Sequence, residues 1–168
     1  MSKSYCVIKA TSGEFFGKVR AFFSACAKRN EKPTTRNIYN FLVPTGVPNS
    51  ATPGSFGVGN IFKYEFMSSD GVLLMVKYHS PDLNARSKHP GCNSGMGWTC
   101  QIKVGHSEFL TVNLASGEIG KSVICRQNLA HIPVMYVPVK QEKALRSFSP
   151  VIFFVEISPI FLYTFYKK

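Results

Sequence analysis

Between Gly13 and Ala27 apolar residues recur at three- and four-residue steps, as Phe15, Val19, Phe22, Phe23 and Cys26. That spacing gathers them on one face and predicts an amphipathic helix, with Lys18, Arg20, Lys28 and Arg29 largely outside the stripe and Ser12 as its N-cap. From Lys32 to Asn60 the pattern dissolves. Pro33, Pro44, Pro48 and Pro53 punctuate it and Gly54, Gly57 and Gly59 close it, so a flexible connector is expected. GSFGVG is not read as a phosphate loop, because no Lys-Ser or Lys-Thr pair follows it.

Beyond Asn60 the period shifts towards two. Ile61 to Met67 alternates in part, SSDG makes a turn, and Gly71 to Tyr78 returns. In Trp98 to Val104, the residues Trp98, Cys100, Ile102 and Val104 face one side, and Thr99, Gln101 and Lys103 the other. Gly105 and His106 turn the chain into Glu108 to Asn113. Ser122 to Arg126 and His131 to Val139 follow as strands, with Pro133 and Pro138 marking the last as an edge. One helix followed by a run of short strands predicts an α+β fold, a helix packed on a central antiparallel sheet. The chain divides into a helix and connector (1–60), a sheet core (61–139) and a basic segment with an apolar tail (140–168), all within one structural domain.

Charge narrows the partners. Twenty Lys and Arg face nine Asp and Glu, a formal net charge of +11, which favours a polyanion: nucleic acid, an anionic membrane or an acidic protein. The five cysteines show no regular spacing and read as free thiols, with Cys26 on the helix's apolar face and Cys100 buried. MSKSYCVIKATSGEFF has no uninterrupted apolar core, so no conventional signal peptide is expected. In the tail, Pro150, Glu156 and Pro159 interrupt the apolar run. This argues against a stable membrane span and for a strand over Val151 to Ile157.

The stretch from Lys77 to His106 concentrates the candidate chemistry. His89, Cys92, Cys100 and His106 give the spacing H-x2-C-x7-C-x5-H. Only the first pair has finger-like separation, and Cys100 shares a face with Trp98 and Ile102, so the pattern argues against a metal. The stretch fits phosphodiester chemistry better. Cleaving RNA without a metal takes a base for the ribose 2′-proton, an acid for the leaving oxygen, and cations around the phosphorane. Lys77 and His79 share one side of a strand end, Thr99 and Lys103 point together from the next strand, and His131 opens a later one, just after Arg126. The catalytic candidates are therefore His79, His131, Lys77 and Thr99. The substrate-binding candidates are Ser80, Lys103, Arg86, Arg126 and Trp98, the last read first as a core anchor and only second as a base-stacking platform.

The ordered set KYHSPDLNA, NSGMGWT, QIKVG, EFLT and NLAHIPV resembles the polymorphic toxin type 30 domains, over about Ile61 to Val134. The positions that carry the resemblance are His79, Ser80, Asp82, Gly97, Trp98, Thr99 and His131. The resemblance implies a bacterial ribonuclease toxin of the barnase/EndoU/colicin/RelE-like fold, cutting RNA without metal or cofactor in the target-cell cytoplasm. It also implies a cognate immunity protein, which this chain's charge suggests is acidic. Two other classes stay open on sequence. One is a non-catalytic basic nucleic-acid-binding module, of which a form zinc-stabilised through the His/Cys quartet is one variant. The other is a membrane-surface effector using the tail from Phe148 to Tyr166.

Overall fold

A computed structural model describes residues 4–51, 59–123 and 128–139. The helix-bearing segment and the sheet belong to one unit, Met1–Val137, and the chain from Pro138 onward to another. The expected strand at Val151 to Ile157, the tail, and most of GSFGVG lie outside the described residues.

The chain enters through β1 (Cys6–Val7) and α1 (Ser12–Lys28). The cap of α1 is Thr11, one residue before the predicted Ser12. Its hydroxyl accepts from the Glu14 N–H (3.2 Å) while the Glu14 carboxylate accepts from the Thr11 N–H (2.7 Å). Ser12 reaches across to the sheet instead, where its N–H and hydroxyl donate to the Asp70 carboxylate at 2.8 and 2.6 Å. Asp70 lies in the turn between the next two strands, so the bonds tie that turn to the start of α1.

The predicted connector contains α2 (Thr35–Leu42). Thr34 caps it by accepting from the Asn37 N–H, and Ile38 and Leu42 are buried one turn apart. Then come β2 (Ile61–Met67) and β3 (Leu73–His79), in full antiparallel register from Ile61↔His79 to Met67↔Leu73. The predicted loop holds two short helices, α3 (Leu83–Lys88) and α4 (Asn93–Met96). The chain returns as β4 (Thr99–Val104), β5 (Glu108–Val112) and β6 (Ile119–Ser122), this last ahead of the predicted Ser122–Arg126. A 3-10 turn at Asn128–Ala130 leads into β7 (Ile132–Pro133).

The sheet order is β1-β2-β3-β4-β5-β6, antiparallel except for the parallel β1–β2 pair, with β7 also on β4. This is an α+β fold, as the sequence pattern predicts. β7 is far shorter than the predicted His131–Val139. It runs antiparallel to β4 towards the start of that strand at Thr99; Pro133 has no N–H to give the ladder, and past the Val134 N–H bond to the Trp98 carbonyl (2.9 Å) β4 has ended. The chain leaves for the start of α2 instead, where the Met135 carbonyl accepts from the Thr35 N–H (2.9 Å).

Both faces follow from alternation. Phe62, Tyr64, Phe66, Leu74, Val76, Tyr78, Cys100 and Ile102 meet Phe15, Val19 and Phe23 of α1 and Ile38 and Leu42 of α2 in one core. Each such large side chain contributes about 1.5–3 kcal/mol of hydrophobic stabilisation on full burial. Edge-to-face contacts, Phe15 on Phe66 (5.7 Å) and Tyr39 on Tyr64 (5.1 Å), fix helices to sheet. The intervening residues, among them Lys63, Lys77, His79, Thr99 and Gln101, belong to the opposite face.

Candidate active site

On that opposite face the register aligns residues from four strands. Lys63 of β2 pairs with Lys77 of β3, and Lys77 with Gln101 of β4. The β4–β7 register, Thr99↔Pro133 and Cys100↔Ile132, brings His131 opposite Gln101 when extended by one residue. The contact is made: the Gln101 carboxamide NH2 donates to His131 Nε2 at 3.1 Å. A polar row of Lys63, Lys77, Gln101 and His131 thus crosses the sheet. Lys63 and Lys77 are like charges directly opposite, an arrangement that costs stability unless an anion answers it. Glu65 answers Lys63 at 2.8 Å.

Beside this row sits His79, 4 % exposed, between Ile61 and Thr99 in the register. Its Nδ1 is 2.7 Å from the Ser80 carbonyl oxygen, which can only accept. Nδ1 therefore carries the proton, and in the neutral ring Nε2 is left as a lone pair. That lone pair accepts from the Thr99 hydroxyl at 3.1 Å. Burial is the first cause holding His79 below the usual imidazole range. The Ser80 carbonyl opposes that shift, while the fields of Lys77 and His131 add to it. The His79 and His131 rings meet edge to face with centroids 5.9 Å apart.

Several sequence-chosen residues come together here and others do not. His79, His131, Lys77 and Thr99 gather, but Thr99 is fully buried and holds His79, so it is a positioning residue. The Ser80 hydroxyl accepts from the N–H groups of Gly59 and Asn60 at 3.0 Å each, pinning the incoming chain to the end of β3. Lys103 is on the same face but about 13 Å along β4 from Thr99, its ammonium over the Phe109 ring at 5.3 Å. Trp98 packs against the core side, stacked on Tyr136 at 4.1 Å. Asp82 caps α3, accepting from the Asn84 and Ala85 N–H groups. Arg86 lies exposed on α3, and Arg126 lies outside the described residues.

The His/Cys quartet is not gathered. Cys100 sits in the core, where burial pushes its thiol far up, and His89 and His106 are exposed. Among the described residues, no three His, Cys, Asp or Glu side chains are grouped to hold a metal ion.

Sequence reasoning missed two contributors. Gln101 was placed on the correct face but given no role, because alternation gives the face and not the register that sets it opposite Lys77. Asn93 and Asn128 form a clamp: the Asn93 N–H donates to the Asn128 Oδ1 (2.7 Å) and the Asn93 amide to the Asn128 carbonyl (3.0 Å). The same carbonyl accepts from the His131 N–H (3.1 Å), so the clamp sets where His131 begins. Nothing in a pair of loop asparagines 35 residues apart announces this.

No helix among the described residues is long and apolar enough to cross a membrane. Comparisons with protein-family models, with curated proteins and with solved structures gave no match.

Proposed function

We propose that this protein is a metal-independent endoribonuclease toxin that cleaves RNA through attack of the 2′-hydroxyl. The observation that carries the reading is the meeting of two histidines at 5.9 Å beside a cross-strand row of Lys63, Lys77 and Gln101. His131, half-buried and aimed by Gln101, is the group that meets substrate. With the Gln101 carboxamide turned so that its oxygen accepts from Nε2–H, neutral His131 takes the 2′-proton at Nδ1, the 2′-oxygen attacks phosphorus, and the 5′-oxygen leaves with a proton from solvent. Lys77 and its neighbour Lys63 face the charge that develops on the phosphoryl oxygens. His79 stands behind as a neutral, hydrogen-bonded partner. The net charge of +11 supports RNA as substrate. It equally supports an acidic immunity protein as the partner that silences the site, and the resemblance to toxin domains supports action in the cytoplasm of a target cell.

One observation favours a second reading, a basic module that binds nucleic acid without cutting it. Both nitrogens of His79 are engaged within the protein, and the ring is 4 % exposed. A single experiment separates the two. Purified wild type, His131→Ala and His79→Ala are incubated with total bacterial RNA in EDTA, and the products are resolved by gel. The ribonuclease reading expects discrete fragments with 2′,3′-cyclic phosphate ends from wild type and none from His131→Ala. Intact RNA with folded wild type hands the case to the binding module, and undiminished cutting by His131→Ala removes the site assignment.

A further inference from the structure

The hairpin of α3 and α4 is held together unusually tightly for a segment whose helices bury little. A Cβ on Gly95 would lie 2.7–2.8 Å from the Arg86 backbone, so α4 packs directly on α3 where only glycine fits. The Asp82 N–H donates to the Ser94 carbonyl (2.8 Å), closing the hairpin at its base. With the frame so fixed, two large apolar side chains are nevertheless presented outward: Leu83 and Met96 are each 64 % exposed. Together with Arg86, Ser87, Pro90 and Gly91 they line a depression of about 560 Å³.

Its position follows from the chain. Met96 is three residues before Thr99, and Leu83 four after His79, so the depression begins within about 10–14 Å of that register pair. Arg86 is the charged residue of its lining, with Lys88 two residues on and the Asp82 carboxylate turned to the Asn84 and Ala85 N–H groups at the start of α3. Its far wall is mechanically joined to the site, because α4 carries Asn93, whose clamp on Asn128 sets the start of His131.

We propose that this depression is a subsite for one nucleobase of single-stranded RNA, an inference that rests on the ribonuclease reading and gives it a specificity element. The volume suits a small-molecule-sized group. Leu83 and Met96 offer apolar and sulfur contact to a base's flat face, Arg86 offers guanidinium stacking or donors to a carbonyl edge, and Ser87 a hydroxyl for the same edge. A base held there fixes which nucleotide flanks the scissile phosphate, and the Asn93–Asn128 clamp makes its wall and His131 parts of one frame.

The test uses fluorescein-labelled 2′-O-methyl hexanucleotides of U, C, A and G, which cannot be cut by 2′-OH attack. Their binding to the full chain is read by anisotropy in EDTA. Wild type is expected to favour one of the four by about 10-fold, the scale of one base contact. Arg86→Ala/Met96→Ser, both exposed positions, is expected to level the four while its circular dichroism stays unchanged. Equal binding of all four by wild type, no binding at all, or a preference that survives in the variant overturns the subsite. Parallel sequencing of fragments from unmodified RNA separates the two ideas. Cutting without nucleotide preference sinks the subsite and leaves the ribonuclease. A preference in binding with RNA left uncut sinks the ribonuclease and leaves the subsite.

Discussion

Thr99→Val is the most direct probe of what holds the buried histidine. Valine keeps the shape of threonine and removes only the hydroxyl that donates to His79 Nε2 at 3.1 Å. Thr99 is 0 % and His79 4 % exposed, so water does not readily take the hydroxyl's place. Leaving a buried acceptor unpaired costs about 1–3 kcal/mol, and the added methyl returns at most about 0.8 kcal/mol. The net loss of about 0.2–2 kcal/mol corresponds to a melting temperature lower by up to about 8 °C for a chain of this size. Thr99→Ser is the control: it keeps the donor and loses a methyl, about 1 kcal/mol, but leaves the ring's hydrogen bonds in place. Thermal and urea unfolding give the stabilities, and nitrogen-15 NMR of the imidazole reports which ring nitrogen carries the proton. If Thr99→Val melts with wild type and the His79 nitrogen shifts do not move, the hydroxyl does not hold the ring and the site's geometry has been misread.

Further outcomes follow from other contacts. His79 binds its proton less readily when folded than when unfolded. The unfolded chain therefore takes up the proton first as pH falls through about 6.5, and stability drops on acidification by at most about 1.4 kcal/mol per pH unit. His79→Asn should flatten that limb in urea titrations between pH 7.5 and 5. Asp70, held down to about 2 by its bonds from the Ser12 and Ser68 side chains and the Ser12 N–H, contributes stability above about pH 4 that is lost as pH falls towards 2. Asp70→Asn should remove that acid-limb dependence in the same assay. Gly95→Ala should cost about 1–3 kcal/mol through the clash with the Arg86 backbone and open residues 83–96 to limited proteolysis. Gln101→Leu removes the carboxamide that aims the His131 ring and should lower RNA cleavage by about 10–100-fold while the protein stays folded.

Strong periodicity made parts of the structure legible. β2 alternates in part and β4 clearly, and the pattern put Thr99, Gln101 and Lys103 on the face away from the core. α2 was hidden because only Ile38 and Leu42 mark its buried stripe, inside a stretch studded with prolines. β1 is two residues long, and no period can be read from two. α3 was hidden differently: it buries no side chain, so no apolar stripe exists to detect. At the site, the residue types were readable but their roles were not. Whether a threonine faces substrate or a neighbouring ring depends on which strand lies beside it. For Thr99 that neighbour is β3, which sets His79 directly opposite, and a register between two strands cannot be read from the alternation within either.

The placement of β7 also orders events in time. His79, Thr99 and Gln101 lie on strands joined by local connections, which can pair as soon as they exist. His131 joins them only when the chain has returned across the sheet, and the crossing ends with Met135 bridged to Thr34. Closing a loop of about 100 residues costs about 4 kcal/mol in chain entropy, a cost much reduced once the sheet has already drawn the ends together. Docking of β7 is therefore a late step of folding. A chain still emerging from the ribosome holds one histidine of the pair without the other. On the proposed mechanism, the cell that makes this protein meets an armed site only after synthesis has passed β7.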